Sequence, residues 1–462
     1  MEKIDWKSLS SPVARAARTV AERLREQGYE ALFAGGCVRD ALLGRPFHDI
    51  DIATSATPGQ IEALFRGRTI AVGRAFGIIV VLEGGFQFDV ATFRRDGNYL
   101  DGRHPEGIAL ATREEDASRR DFTVNGLFSD PADGRVIDGV GGIRDLEGRR
   151  IRAIGRPEER FREDHLRMLR AIRFASVLDF KLDPSTFEAI RNHPEWIRTV
   201  SPERISAEFT RLICESPRPS LGLDLLRISR LLDPFLPEVA ALYGVRQPPQ
   251  FHPEGDVWTH TCLMLDGIPA PRPPELAWSL LLHDVGKPPT FSEEDDPKHG
   301  GKRIRFMNHA PVGARMAEKI LRRLKMSNAL ISTVCPVVEN HMRFIKPEEM
   351  REAKLRRFMG APYFPVLLQV MHQDLQHSNG DLSPWILLST RFNAFRSEPI
   401  LPPPLVKGRD LLAWGVPPGP AMGEMLTRLY DAQLEEAFST TDGGKALFDR
   451  LTAASGPSRS EE

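Results

Sequence analysis

Residues 12–27 place Val13, Ala16, Val20 and Leu24 at helical spacing and predict an amphipathic helix. The apolar run Leu32-Phe33-Ala34 reads as a strand that ends in Gly35 and Gly36. Segments 69–72 and 77–82 read as two further strands. Phe86-Gln87-Phe88-Asp89-Val90-Ala91 alternates with period two, so Asp89 falls on the face opposite Phe86, Phe88 and Val90. Residues 96–107 are polar and lack periodicity, and read as a mobile loop. From about residue 157 the pattern turns helical and stays so. Leu169, Ile172 and Ala175 form a stripe that predicts one helix running through Glu163-Asp164-His165-Leu166-Arg167-Met168-Leu169-Arg170-Ala171-Ile172-Arg173. Proline clusters at Pro248-Pro249, residues 269–274 and Pro402-Pro403-Pro404 mark boundaries, and residues 453–462 are expected to be disordered.

Length and composition add bounds. A chain of 462 residues exceeds one core and implies about three domains. Hydrophobic content of 41% and charged content of 27% are those of a globular protein. The formal net charge is −1, so attraction to a nucleic acid must come from local clusters such as Arg94-Arg95, Arg119-Arg120, Arg149-Arg150-Ile151-Arg152 and Arg322-Arg323 with Lys325. Cys37, Cys214, Cys262 and Cys335 are too sparse for a disulfide framework and lack metal-ligand spacing. The N-terminus has no apolar signal core and nowhere do 18 apolar residues run together, so a cytoplasmic protein without a membrane span is expected.

The chemistry-bearing residues cluster. Asp49 and Asp51, two apart in a strand, would share a face and offer hard oxygens that suit Mg²⁺ carrying a nucleoside triphosphate. Gly35 and Gly36 allow close backbone approach to phosphates at the start of a short helix that carries Arg39. Asp89 on the neighbouring strand could supply a third carboxylate. In Arg119-Arg120-Asp121-Phe122-Thr123-Val124-Asn125, Arg120 suits triphosphate oxygens, whereas Asp121 and Asn125 suit ribose hydroxyls. Asp164 and Arg167 are i, i+3 neighbours, and Arg170 and Arg173 continue that spacing. A second constellation comprises His260, His283-Asp284, His309, His341 and Asp374.

The stretches Leu32-Phe33-Ala34-Gly35-Gly36-Cys37-Val38-Arg39-Asp40 and His48-Asp49-Ile50-Asp51 resemble the bacterial tRNA nucleotidyltransferases and poly(A) polymerases, and the resemblance runs from about Phe33 to Ala175. It implies that Asp164 and Arg167 act as a protein template for the incoming base, with Arg170 and Arg173 in the nucleotide-binding set. Cytosine and adenine present an amine beside a ring-nitrogen acceptor, which Asp164 and Arg167 would match. Uracil and guanine would leave buried polar groups unpaired at roughly 1–3 kcal/mol each. Gly126-Leu127-Phe128 departs from the small, alanine-containing segment of the family. Gly97-Asn98-Tyr99-Leu100-Asp101-Gly102-Arg103-His104-Pro105 matches the full loop of members that add a terminal A and leans against a CC-only enzyme. The stretches around His260 and His283-Asp284 resemble the HD phosphohydrolase superfamily. That implies one metal on His260, His283, Asp284 and Asp374, with His309 and His341 extending the site to a second metal or to phosphate. Imidazole and carboxylate ligands suit several divalent transition metals without choosing among them.

These readings define an α+β protein. A nucleotidyltransferase head (1–150, mixed sheet with helices) precedes an all-α neck and body (151–245), an all-α HD domain (246–395) and a helical tail (396–462). The expected activity is CCA addition to tRNA 3′ ends from CTP and ATP, with Asp49, Asp51 and Asp89 as catalytic carboxylates and an HD phosphohydrolase on the same chain. An A-adding enzyme and a poly(A) polymerase share these motifs and stay open, as does a homodimer. A phosphohydrolase with a vestigial head conflicts with intact Asp49, Asp51, Asp164 and Arg167, and a non-catalytic RNA-binding protein has no need of two acidic metal sites.

Overall fold

The computed structural model describes residues 3–6, 11–47, 49–71, 73–96, 108–295, 302–343, 347–395 and 399–453. Outside them lie the expected loop at 96–107 apart from its first residue, the end of the expected strand at 69–72, and the expected disordered end beyond its first residue. The chain divides into two compact units. One comprises Met1–Ala241, Ile268–Pro273 and Arg323–Met326, and the other Leu242–Gly267, Pro274–Arg322 and Ser327–Glu462.

The first unit opens with α1 (Pro12–Glu26), whose buried Ala14, Ala17, Val20, Ala21 and Leu24 form a narrow apolar stripe. The expected strands follow: β1 (Ala31–Ala34), then helix α2 (Gly36–Leu42), β2 (Asp51–Thr54), helix α3 (Pro58–Leu64), β3 (Thr69–Ile70), β4 (Ile78–Glu83) and β5 (Phe86–Thr92). A two-stranded ribbon of β6 (Arg94–Asp96) and β7 (Ile108–Leu110) leads to α4 (Arg113–Ser118), β8 (Leu127–Ser129), β9 (Val136–Asp138), α5 (Gly142–Glu147) and β10 (Arg150–Ile151). Thr57 and Thr112 begin α3 and α4 with reciprocal capping boxes to Gln60 and Glu115.

Seven strands form one mixed sheet in the order β3-β4-β5-β2-β1-β8-β9, in which β2 and β5 run parallel and the other pairs antiparallel. The register pairs Ile52 with Val90, both fully buried. Asp51 and Asp89, one residue earlier on each strand, therefore emerge side by side on the opposite face. Asp49 precedes β2 and is not an i, i+2 strand partner of Asp51 as the sequence pattern suggested.

The helical part of this unit comprises α6 (Pro157–Glu163), α7 (Leu166–Leu178), the short strand β11 (Lys181–Leu182), α8 (Pro184–Asn192), a 3₁₀ turn (Pro194–Thr199), α9 (Pro202–Glu215), α10 (Pro219–Ile228) and α11 (Pro237–Ala240). The single helix expected through residues 163–173 is two helices. Asp164 is extended (φ −146°, ψ 104°), and its carboxylate accepts the Leu166 N–H at 3.1 Å, so the side chain takes over a helix-start donor and breaks the run.

In the second unit, α12 (Val257–Asp266), capped by Asp256, is followed by α13 (Pro274–Leu282), a hairpin of β12 (Phe291–Asp295) and β13 (Lys302–Phe306), α14 (His309–Arg323), α15 (Asn328–Asn340), α16 (Glu352–Met359), α17 (Phe364–His377) and α18 (Ser383–Ala394). The hairpin interrupts the uninterrupted helical run that the sequence suggested after residue 157, as does the short strand β11, which pairs with β10. Three further helices, α19 (Gly408–Ala413), α20 (Pro420–Leu434) and α21 (Thr441–Ala453), enclose a small core of Val406, Leu411, Leu429, Phe438 and Phe448.

Candidate nucleotide site and candidate metal centre

In the first unit, a cavity of about 800 Å³ is lined by Gly35, Gly36, Arg39, Asp49, Asp51, Asp89, Arg120, Asp121, Asn125, Asp164, Arg167, Arg170 and Arg173, together with other residues. All thirteen residues that the sequence assigned to the head's site meet here. Burial, then the Asp89 carboxylate, pushes the Asp51 carboxyl up to about 6, with Asp49 adding to the rise and Arg120 opposing it. A cluster of hard oxygens with this excess of negative charge fits a divalent cation.

Gly35 adopts φ 71°, and a side-chain carbon there would stand 3.0 Å from Arg120 Nη1 and 3.9 Å from Asp51 Oδ2. Arg120 is held by Asp116, to which its Nε and Nη2 donate at 3.3 and 3.1 Å, and its guanidinium lies 4.8 Å from the Phe128 ring centroid. Arg39 donates to Asp40 through Nε and Nη2 and to Asn125 Oδ1 at 2.6 Å. Asn125 in turn donates to Asp121 Oδ1, and Arg170 donates twice to Asp121 Oδ2, at 3.0 and 2.7 Å. Burial alone would raise the Asp121 carboxyl, but Arg170 and Asn125 bring it down to about 2, so it stays an anion and an acceptor.

Asp164 and Arg167 do not pair side chain to side chain. Asp164 Oδ2 accepts from Arg204 at 2.7 Å. Arg167 donates from Nη1 to Glu163 Oε2 and the Arg160 carbonyl, and from Nη2 to the Arg119 carbonyl. Those three bonds leave two of the five guanidinium donors, and the Asp164 oxygens keep further lone pairs. Both side chains are thus oriented yet retain capacity toward a ligand. Arg173 donates to Glu208 Oε2 at 2.5 Å, and Arg170 to Glu208 Oε1 at 3.0 Å. Sequence reasoning did not find Asp116, Arg204 or Glu208, because their partners are brought to them only by the fold.

In the second unit, His260, His283 and Asp284 form one cluster of candidate ligand atoms within 4.8 Å of one another, and Asp284, His309 and His341 form another. Asp374 joins the first through Oδ1, 3.1 Å from His260 Nε2. Every imidazole is oriented by its Nδ1. His283 donates to the Leu280 carbonyl, His309 to Phe306, His341 to Val338, each at 2.7–2.9 Å, and His260 to Glu254 at 2.7 Å. This leaves the Nε2 atoms facing inward. Nε2 of His260 and of His283 are buried and make no directed hydrogen bond, and Nε2 of His309 and His341 face each other at 3.2 Å. Two such lone pairs repel unless a cation lies against them, so the donor set fits a divalent metal ion.

The charges agree. Burial lowers His260, but Asp374 and Glu254 outweigh it and raise the imidazole to about 9. Burial takes His341 down to about 4. Burial would raise Asp284, yet His283 and Lys287 hold it well below the usual carboxylate range. Glu254 and Lys287 were not singled out from sequence. Lys287 Nζ lies 2.6 Å from Asp284 Oδ2 and 2.6 Å from Gln247 Oε1. His372 packs edge-on against Trp385 and joins neither cluster among the described residues.

A mixed sheet presents carboxylates to a cavity rimmed by arginines, and the same chain carries a helical histidine–aspartate centre. The model of the poly A polymerase head domain matches residues 31–152, that of the probable RNA and SrmB-binding site of polymerase A residues 179–243, and that of the HD domain residues 257–364. A CCA-adding enzyme of Streptococcus pyogenes serotype M2 is 47% identical over 198 residues, which are 43% of this chain and 49% of that protein. The chain thus spans about half the length of the curated relatives it matches. The Bacillus stearothermophilus CCA-adding enzyme in complex with CTP is similar in structure with a TM-score of 0.73 at 28% identity, covering 96% of this chain and 99% of that one. The Thermotoga maritima CCA-adding enzyme complexed with tRNA shares the fold, with a TM-score of 0.59 at 18% identity over 97% and 99% of the two chains. The chain therefore carries a poly A polymerase head domain, a segment matched by the probable RNA and SrmB-binding site of polymerase A, and an HD domain. Both kinds of domain imply dependence on a divalent metal ion. No helix among the described residues is long and apolar enough to cross a membrane.

Proposed function

We propose that this chain adds CCA to tRNA 3′ ends, without a nucleic-acid template, from CTP and ATP. The observation that carries the reading is the convergence of Asp49, Asp51 and Asp89 with Asp164 and Arg167 on one cavity. Asp49, Asp51 and Asp89 would hold Mg²⁺, whose charge, when bound, activates the RNA 3′-hydroxyl and offsets the leaving pyrophosphate. Gly35 keeps the backbone low beneath the phosphates, and Arg120 pairs with their oxygens. Asp121 and Asn125 accept from and donate to the ribose. Asp164 accepts from the base amine and Arg167 donates to the ring nitrogen, which selects C and A over U and G. The work is divided among a head (1–150), a neck and body (151–245), an HD domain (246–395) and a tail (396–462), in the cytoplasm where the substrates are.

The HD domain would act separately. His260, His283, Asp284 and Asp374 would hold a divalent transition metal, with His309 and His341 extending the site, and the bound ion would supply an activated water. A phosphohydrolase here would clear 2′,3′-cyclic or terminal phosphates that block the 3′-hydroxyl. The test supplies each nucleotide alone, and CTP with ATP, to tRNA lacking its CCA end, to tRNA ending in CC, and to an unrelated RNA. CCA appearing only on the first, with A alone on the second, supports the reading. Addition of A alone to tRNA ending in CC identifies an A-adding enzyme, and A tracts on every RNA identify a poly(A) polymerase.

A further inference from the structure

The 3₁₀ turn Pro194–Thr199 carries Trp196 in a column of flat groups. The His193 ring stacks on the indole at 4.0 Å between centroids and 6° between planes. The His165 ring lies 5.1 Å away at 30°, and the Arg162 guanidinium sits 5.7 Å from the indole centroid. All three rings are only half-buried. The turn does not need the column to hold its shape. Trp196 N–H donates to the His193 carbonyl, Val200 N–H to Ile197, and Thr199 Oγ1 to Trp196, while Ile197 is fully buried beneath. His165 is fixed by its Nδ1 contact with Thr199 Oγ1 at 2.6 Å.

Two further features point to a ligand. His165 directly follows Asp164, which lines the candidate nucleotide cavity, while the column itself stands outside that lining. Arg162 and Arg198 are exposed and have no carboxylate partner among the described residues, although arginines on the adjoining elements, such as Arg160, Arg167 and Arg204, are ion-paired. Two acids stand beside the column: Glu195, 4.0 Å from His193 Nδ1, and Asp164, whose charge acts on His165. Aromatic faces flanked by free guanidinium groups suit an unpaired nucleotide, whose base stacks while its phosphate pairs with arginine.

We propose that His165, Trp196 and His193, with Arg162 and Arg198, form a stacking platform for an unpaired nucleotide at the 3′ end of the RNA acceptor. This rests on the reading of the chain as an RNA nucleotidyltransferase. The platform orients RNA and touches no reacting atom, so it should set RNA affinity without setting CTP affinity. The test measures binding of a fluorescent tRNA lacking CCA to the full chain at several salt concentrations, beside the KM for CTP. Trp196→Ala and His193→Ala should weaken RNA binding by about 5- to 100-fold, with the salt slope unchanged, whereas Trp196→Phe should retain most of it. Arg162→Ala should shallow the salt slope by about one phosphate contact. RNA binding equal to wild type in folded His193→Ala and Trp196→Ala overturns the platform, as does a parallel rise in the KM for CTP. If Trp196→Ala melts early, the exposed Arg162→Ala and the half-buried His193→Ala, each checked for wild-type melting, decide. A wild-type chain that binds and extends no RNA overturns the functional reading itself, and the platform with it.

Discussion

The two adjacent glycines of the candidate nucleotide site look equivalent in sequence, but the structure separates them. Gly35 has φ 71° and ψ −127°, a region that L residues rarely adopt. Alanine there should cost about 1–3 kcal/mol in backbone strain. Its methyl group would also stand 3.0 Å from Arg120 Nη1, closer than ordinary contact. Arg120 cannot yield freely, because Asp116 holds two of its nitrogens and Asp116 is itself 1% exposed. Gly36 is different. It opens α2 with an ordinary φ, and an added carbon would meet only Arg39 Nη2, at 3.7 Å. Alanine is the better helix former there, by about 1 kcal/mol at most. Gly35→Ala should therefore lower the melting temperature by about 2–12 °C, at roughly 2–4 °C per kcal/mol for a unit of this size. It should also raise the KM for CTP by displacing Arg120. Gly36→Ala should melt at or above the wild-type temperature, and any rise in its KM then reports lost approach to the phosphates alone. Thermal unfolding by circular dichroism, with CTP kinetics on the same preparations, reads both quantities. Equal destabilisation of the two variants, or a Gly35→Ala variant that melts and binds like wild type, would refute this account.

Three further outcomes follow from the geometry. Asp51→Asn and Asp89→Asn should each reduce transfer from both CTP and ATP more than about a hundredfold while preserving the far-UV spectrum, since each removes metal-directed charge worth several kcal/mol; activity above a hundredth of wild type dismisses the shared carboxylate site. Arg204→Ala removes the 2.7 Å partner of Asp164 Oδ2 and should narrow the preference for CTP over UTP more than it lowers kcat, which competition assays with mixed nucleotides would show or deny. His283→Ala with Asp284→Ala should strip a transition metal, read by elemental analysis, and abolish phosphohydrolysis of a 2′,3′-cyclic phosphate while nucleotide addition stays near normal; retained metal defeats the ligand assignment.

The strands of the head were legible because a half-buried sheet imposes alternation. Phe88 and Val90 had to face inward, which fixed where Asp89 could point. Three features escaped the pattern for identifiable reasons. The break at Asp164 is invisible to apolar periodicity, since the buried stripe of α7 begins only at Leu166, beyond the break. The available signal was an aspartate in mid-helix, where its side chain competes for backbone donors. The β12–β13 hairpin buries little, so hydrophobic alternation has nothing to record there. Its trace is charge: Glu294 stands opposite Arg303 and Asp295 opposite Lys302 across the pair. Asp49 resembles a strand residue by spacing alone, but β2 starts at Asp51 and Asp49 reaches the same cavity from the preceding segment.

The site divides along a similar line, between groups that bear chemistry and groups that aim them. A carboxylate beside glycines or a His-Asp pair declares itself locally. The groups that fix orientation lie far off in sequence: Arg204 is 40 residues from Asp164, and Glu208 is 38 and 35 residues from Arg170 and Arg173. Nothing in the spacing of one segment can name them, because the pairing depends on how α7 meets α9. The HD histidines show where a local rule would have gone further. His283 and His341 each stand one residue past the end of a helix and donate Nδ1–H to the carbonyl three residues back. Helix ends leave such carbonyls without an intrahelical donor. A histidine at that position satisfies one of them, which fixes the tautomer and leaves Nε2 for a cation. Position relative to a helix end therefore separates these two candidate ligands from His372, which sits inside α17 with its ring against Trp385.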